Sequence, residues 1–412
     1  MVSVCFYFQV HQPFRLRKYS VFDINENQNY FDDVKNRSVF EKVARKCYLP
    51  TNGLMLDLLK NVEEFKISYS LSGVFLDQAN KYMPEVLDSF RKLVDTEKVE
   101  LLDETYYHSL SFLYSKNEFI EQVKMHRELI KDLFGYSPKV FRNTELIYSN
   151  EVAFYAEKLG YKGILAEGVD NILGWRSPNF VYRPKTAQGI SLLLKNYKLS
   201  DDIAFRFSNK GWNEWPLTAD KYAQWVNAIN GAGNSLNLFM DYETFGEHQW
   251  EDTGIFDFMR CLPRKILEHP DNDFKTPSEV IAAYQPMDTL DIHHIISWAD
   301  LERDLSAWLG NKMQHSSISE LYSIEEEVMK TKDKRIIEDW RKLTTSDHFY
   351  YMCTKYFSDG DVHKYFNPYD TPYDAFISFM NTLTDLVQRV KKINGTITPI
   401  QKEPTTGMMG RH

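Results

Sequence analysis

The feature that most restricts what this chain can fold into is an alternation. Short strand-like runs at residues 2–10, 66–71, 99–102, 139–142, 163–166, 203–207 and 235–241 recur between stretches with helical spacing. Parallel strands joined by crossover helices are the usual product of a βα rhythm, because each helix covers the apolar face of the strands it connects. A closed barrel and a doubly wound sheet both satisfy it. At 412 residues, one large barrel or two packed domains is the expected scale, and either buries an ample core.

Period-two alternation shows what each strand presents to its surroundings. In the first run Val4, Phe6, Phe8 and Val10 share an apolar face suited to covering helices, whereas Cys5, Tyr7, Gln9 and His11 share the other. In the last run Leu236, Leu238 and Met240 lie opposite Asn237, Phe239 and Asp241. Polar groups therefore gather towards the C-terminal strand ends, where parallel barrels carry their chemistry. After about residue 290 the rhythm stops, and helical patterns are predicted over 300–309, 319–330, 333–357 and 373–391. The expected organisation is thus 1–290 as a catalytic unit, 291–403 as a helical domain and 404–412 as a disordered tail.

Composition excludes several classes of function. A net charge of −9 and a pI near 5.7 argue against a nucleic-acid partner, which needs clustered Lys and Arg. No stretch reaches the length of a membrane span, and the opening MVSVCFYFQVHQP lacks a basic region and a cleavage site, so a cytoplasmic protein is expected. Cys5, Cys47, Cys261 and Cys353 are widely spaced and predict reduced, buried thiols. The 8 Trp and 25 Tyr suit either an aromatic core or sugar-stacking subsites.

Four strand ends carry polar clusters: His11-Gln12-Pro13, residues 100–108, Arg142-Asn143-Thr144-Glu145, and Asp241-Tyr242-Glu243. Retaining cleavage of a glycosidic bond needs a nucleophilic carboxylate and a carboxylic acid about 5 to 5.5 Å apart, and ends such as these can supply the pair. Spacing alone does not select Glu145 over Glu100 or Glu104, or Asp241 over Glu243.

The same clusters fall in segments that resemble the five signature regions of glycoside hydrolase family 57, a family of α-amylases and 4-α-glucanotransferases. They are HQP at 11–13, VELLDETYYHS at 99–109, FRNTEL at 141–146, MDYETFGEH at 240–248 and ISWADLERDLSAWLGN at 296–311. The resemblance implies a seven-stranded (β/α) barrel, an incomplete TIM-like fold, followed by a C-terminal α-helical bundle that completes the active site. It also implies Glu145 as nucleophile and Asp241 as general acid/base on an α-glucan or maltooligosaccharide, with no metal and no cofactor. His11, Gln12, Glu100, Glu104, His108, His248, Trp298, Asp300, Asp304, Trp308 and His348 become candidate sugar contacts. In the fifth region Asp304 and Trp308 stand one residue further apart than the Asp-x-x-Trp of family transferases, and TSDHFYYM at 345–352 adds Asp347 as a rim candidate. Trp215, within GWNEWP, is expected to pack. A metal-dependent deacetylase is the enzymatic rival, but no His-x-x-x-His occurs and His293-His294 are adjacent. A glycan-binding protein without catalysis is the other rival, and both carboxyl positions are filled.

Overall fold

The computed structural model describes residues 1–355 and 367–395, and the expected tail at 404–412 lies outside them. Strand β1 (Val2–Val10) is buried at every position because it has a neighbour on each side, β2 (Ile67–Leu71) and β8 (Ser235–Asp241), both parallel. β3 (Val99–Leu101) extends this sheet beyond β2, and β9 (Asn272–Phe274) pairs with the start of β1. A second sheet runs β10 (Asp288–Leu290), β6 (Tyr182–Pro184), β7 (Ser191–Lys195), β5 (Gly163–Glu167), β4 (Val140–Arg142), with one antiparallel pair between β6 and β7.

Both edges of the first sheet, β3 and β8, meet the second. Asp103, just past β3, bridges to Phe141 of β4, and the backbone N–H of Asn196 after β7 donates to Asn237 of β8 at 2.9 Å. Parallel strands curved in this way and covered by helices form a TIM-like fold. Val4, Phe6, Phe8 and Val10 pack outward among helical residues, while Cys5 and Tyr7 point inward to Leu102, Val140, Leu165, Leu193 and Phe239. The interior is thus apolar at the strand starts and turns polar at Gln9, which donates to Glu104 at 2.9 Å.

One expected strand is misplaced. Residues 203–207 are not extended: Asp202–Arg206 is a π-helical turn that continues the helix Tyr197–Asp201. The alternation in Ile-Ala-Phe-Arg-Phe suggests a strand, yet Ile203, Ala204 and Phe207 also share one helical face, and that face enters the outer core. The extended segment there is Ser191–Lys195, whose uninterrupted Leu run carries no period of its own.

Beyond β10 the chain is helical from Ser306, in Ser306–Leu309, Lys312–Ser323, Glu325–Thr331, Lys334–Leu343, Ser346–Tyr350 and Pro372–Ile393. The helix expected over 300–309 therefore starts six residues late, because Asp300 and Arg303 both take left-handed backbone (φ 53) in the loop before it. The helix expected over 333–357 breaks at Thr344-Thr345, where Thr345 bridges to Ser109 and Ser346 N–H donates to the His108 carbonyl at 3.0 Å. Trp308, Leu321, Trp340, Leu343 and Phe379 gather in an apolar cluster that also takes Leu16, Tyr30 and Ile147 from the N-terminal part of the chain. These helices are therefore sealed onto the strand-end loops.

All four cysteines are free. Cys261 departs from expectation by being exposed: Phe258, Met259, Leu262 and Ile266 take the inward face of helix Ile255–Leu267 and leave Cys261 on the outward one. Trp215, expected to pack, is 43% exposed. No helix among the described residues is long and apolar enough to cross a membrane.

Candidate active site

A cavity opens where β1, β7 and β8 end, and Glu145 and Asp241 both line it. Glu145 follows β4 in the tight turn Thr144–Leu146, with φ 57 and ψ 26, and Leu146 follows at φ 50. Left-handed backbone at a residue other than glycine costs on the order of 1 to 3 kcal/mol, so the surrounding structure must hold the turn in place. It does so through Asn143 Nδ2 to the Ile147 carbonyl (3.0 Å), the Thr105–Thr144 hydroxyl pair (2.8 Å) and Trp298 N–H to the Glu145 carbonyl (3.2 Å). The reversal swings the buried carboxyl into the cavity.

Three side chains among the described residues meet that carboxyl. Trp298 Nε1 donates to Oε2 at 2.7 Å, His108 Nε2 lies 3.2 Å from Oε1, and Ser346 Oγ donates to Oε1 at 3.4 Å. Donors converging on both oxygens serve the charged form of a carboxyl group. The Arg142 guanidinium adds its charge from behind, 4.7 Å over the Trp298 ring.

His108 is itself held from two sides, with Nδ1 2.7 Å from Glu104 Oε2. Burial alone would lower its pKa, but the charge and hydrogen bond of Glu104, joined by Glu145, lift it to about 9. For Glu104 burial again opposes ionisation, and the His108 and Arg142 charges override it and hold the carboxyl well below its usual range. His11 stacks on His108 at 4.1 Å and joins Ser72 (2.7 Å) to Asp347 (2.9 Å). Burial and the neighbouring His108 charge lower its pKa. One imidazolium thus sits beside one neutral ring.

The raised His108 pKa has a consequence for stability. A folded value near 9 against about 6.5 unfolded means that the stabilisation is fully present below pH 6.5 and is lost as pH rises through 9. Urea unfolding should show a decline of up to about 3 kcal/mol between pH 6.5 and 9.5, and His108→Asn should flatten that dependence.

Asp241 ends β8 in register with Gln9 and is partly exposed to the cavity. Two residues on, Glu243 is pushed up to about 8 by burial and by the Asp241 charge, and accepts from Tyr48 Oη at 2.5 Å. At neutral pH the protonated Glu243 and Asp241 share one corner of the cavity.

The segment from residue 5 to residue 293 matches the family model described as Glycosyl hydrolase family 57. A relative from Methanocaldococcus jannaschii, called a putative alpha-amylase, is 47% identical over 406 residues, covering 95% of this chain and 85% of its own. The chain belongs to glycosyl hydrolase family 57. It is accordingly an enzyme of a glycoside hydrolase family. Among solved structures, the 4-alpha-glucanotransferase of Thermococcus litoralis superimposes with a TM-score of 0.69 at 14% identity, over 97% of this chain and 60% of that one. The family 57 branching enzyme of Pyrococcus horikoshii does so with 0.66 at 14%, over 96% and 94%.

Within this family 57 chain the cavity gathers many but not all of the residues predicted from sequence. His11, Gln12, His108, His248, Trp298, Asp300 and Trp308 line it with the two carboxyls, as does Asp347. Glu100, Glu104, Asp304 and His348 do not. Glu100 lies deep in the interior because it stands within β3 and not past its C-terminal end, and its carboxyl group accepts from the backbone and hydroxyl of Ser278 at the start of helix Pro277–Ala283. Glu104 lies fully buried beneath His108 and acts on the cavity through that ring. Asp304 is exposed and accepts from Ser306 N–H at 2.7 Å, ordering the turn into helix Ser306–Leu309. His348 turns away towards Phe379 and the Lys342 carbonyl, and burial lowers its pKa to about 4. Sequence reasoning missed Arg15, Lys195, Phe205, Arg303 and Tyr350. Arg303 stood inside the fifth region, and Lys195 was hidden with its unrecognised strand.

Proposed function

We propose that the protein is a retaining glycoside hydrolase acting on α-1,4-glucans, α-amylase-like, through a covalent glycosyl-enzyme on Glu145 with Asp241 as general acid/base. The observation that carries this reading is the strained Glu145 turn, which aims a carboxyl held by Trp298, His108 and Ser346 into the cavity that Asp241 also lines. Glu145 attacks the anomeric carbon while Asp241 protonates the departing glycosidic oxygen, and Asp241 then takes a proton from the incoming water as the Glu145 ester breaks. A sugar hydroxyl in place of that water makes the same residues a 4-α-glucanotransferase. Relatives called alpha-amylase and 4-alpha-glucanotransferase support an α-glucan as substrate.

The barrel of this reading is the ring β1-β2-β3-β4-β5-β7-β8, seven strands within residues 1–290, with 291–403 as the helical bundle over its mouth. The edge contacts between the sheets support the ring, and Trp308, Asp347 and Tyr350 in the cavity wall support the bundle's part in the site. Maltoheptaose followed by NMR from the first turnover tests the function. New reducing ends should appear in the α configuration, and oligomers longer than the substrate mark transfer. Early β-anomer would reject retention, and no turnover of any α-glucan would reject the substrate class.

A further inference from the structure

The candidate nucleophile is held by Trp298, and Trp298 is itself held by a set of buried charges drawn from several segments. Arg303 Nη1 donates to the Trp298 carbonyl at 2.7 Å and lies 3.4 Å from Glu167 Oε2, while its Nη2 lies 3.4 Å from Asp201 Oδ2. Lys195 completes the group, with Nζ 3.0 Å from Asp201 and 3.7 Å from Glu167. Glu167 ends β5, Lys195 ends β7 and Asp201 ends the helix that follows, so the anions sit on the strand-end rim and Arg303 arrives from the loop before the C-terminal helices. Among the described residues, two cations thus face two anions.

The loop is closed on itself as well. Ser297 N–H donates to the Arg303 carbonyl at 3.0 Å and Ser297 Oγ to the Asp304 carbonyl at 2.6 Å. The Trp298 indole then lies under two cations, Arg142 at 4.7 Å and Lys195 at 5.4 Å from its ring centre. Cations over an indole draw density from its N–H and strengthen it as a donor. That N–H is the one bonded to Glu145 Oε2.

We infer that Arg303 is a positioning residue: with Glu167, Asp201 and Lys195 it latches the 297–304 loop to the strand-end rim, and so fixes Trp298 as the hydrogen-bond donor that orients the Glu145 carboxylate. The inference rests on the reading of Glu145 as nucleophile. It separates Trp298 from the aromatic residues that only stack on sugar: its ring is committed to the cations and its N–H to the carboxyl. Among the described residues, His108, Ser346 and Trp298 contact Glu145, and the charged or titratable groups around the same cavity are His11, Arg15, Lys195, Asp241, Glu243, His248, Asp300, Arg303 and Asp347. The hydrogen bonds of Arg303 go to the Trp298 carbonyl, Glu167 and Asp201, so the latch assigns its effect on Glu145 to Trp298.

A double-mutant cycle with Arg303→Met and Trp298→Phe tests the latch on maltoheptaose. Each single variant should lower kcat about 30-fold with KM within about twofold, and in the Trp298→Phe background Arg303→Met should cost less than about threefold more. Both should move the acidic limb of kcat/KM up by about one pH unit, since losing the donor favours protonated Glu145. Losses that multiply, an unmoved acidic limb, or a raised KM at unchanged kcat would overturn the latch, the last by making Arg303 a direct sugar contact. If Arg303→Met does not fold, the charge-balanced Arg303→Met/Asp201→Asn variant takes its place in the cycle, with the same outcomes deciding. An active Glu145→Gln enzyme would reject the nucleophile reading itself, whereas an inactive one with multiplying Arg303 and Trp298 losses rejects the latch alone.

Discussion

Glu145→Gln is expected to lower kcat on maltoheptaose by at least about 10⁴-fold, equivalent to some 5 kcal/mol of transition-state stabilisation, because the amide cannot form the glycosyl ester. The substitution keeps size and shape, so the turn at φ 57 should persist. Some stability is lost nonetheless. Trp298 Nε1 and His108 Nε2 both point at the carboxyl oxygens, and whichever meets the new amide NH2 loses its acceptor, a cost of about 1 to 3 kcal/mol. Far-UV circular dichroism should therefore be unchanged while the melting temperature falls by a few degrees. Glu145→Ala leaves room for an external nucleophile, and azide should restore partial turnover with a β-glycosyl azide as product. Wild-type activity in either folded variant would exclude Glu145 from the chemistry.

Asp241→Asn should cost about 10³- to 10⁴-fold on maltoheptaose, where the leaving sugar must be protonated, and far less in the first step on α-maltosyl fluoride, whose leaving group needs no proton. Deglycosylation would still lack its base, so a covalent adduct on Glu145 should accumulate and be visible in the intact mass. Burial raises Glu243 and the Asp241 charge adds to it; the variant removes that charge, and the Glu243 carboxyl should then titrate below about 8. Equal losses on the two substrates, with no adduct, would assign the acid/base role elsewhere, and Glu243 would be the first residue to examine.

The local part of this molecule was legible in its sequence because its signals are local. Alternation in VSVCFYFQV and SLNLFMD marks two strands with one face outward and one inward, and a backbone of period two leaves little else for such a pattern to do. Segments 11–13, 141–146 and 240–248 likewise follow on or overlap the C-terminal ends of strands, so placing those strands in parallel carries their His, Glu and Asp to one end whatever the rest of the chain does. Length and periodicity fail where two patterns fit the same letters, as at 191–195 and 203–207, and there the neighbouring core decided which segment became the strand.

Only the tertiary structure decided what each polar side chain meets. Glu100 and Glu104 are four residues apart in one motif, yet one anchors a helix start deep in the interior and the other charges a histidine beneath the cavity. Trp298 reaches Glu145 across 153 positions, and Arg303 reaches Asp201 across 102 and Glu167 across 136. A buried charge has no preference of its own along the chain. Its partner is whichever group the completed fold brings close enough to offset desolvation, and that is settled when the loop before the C-terminal helices closes on the strand ends.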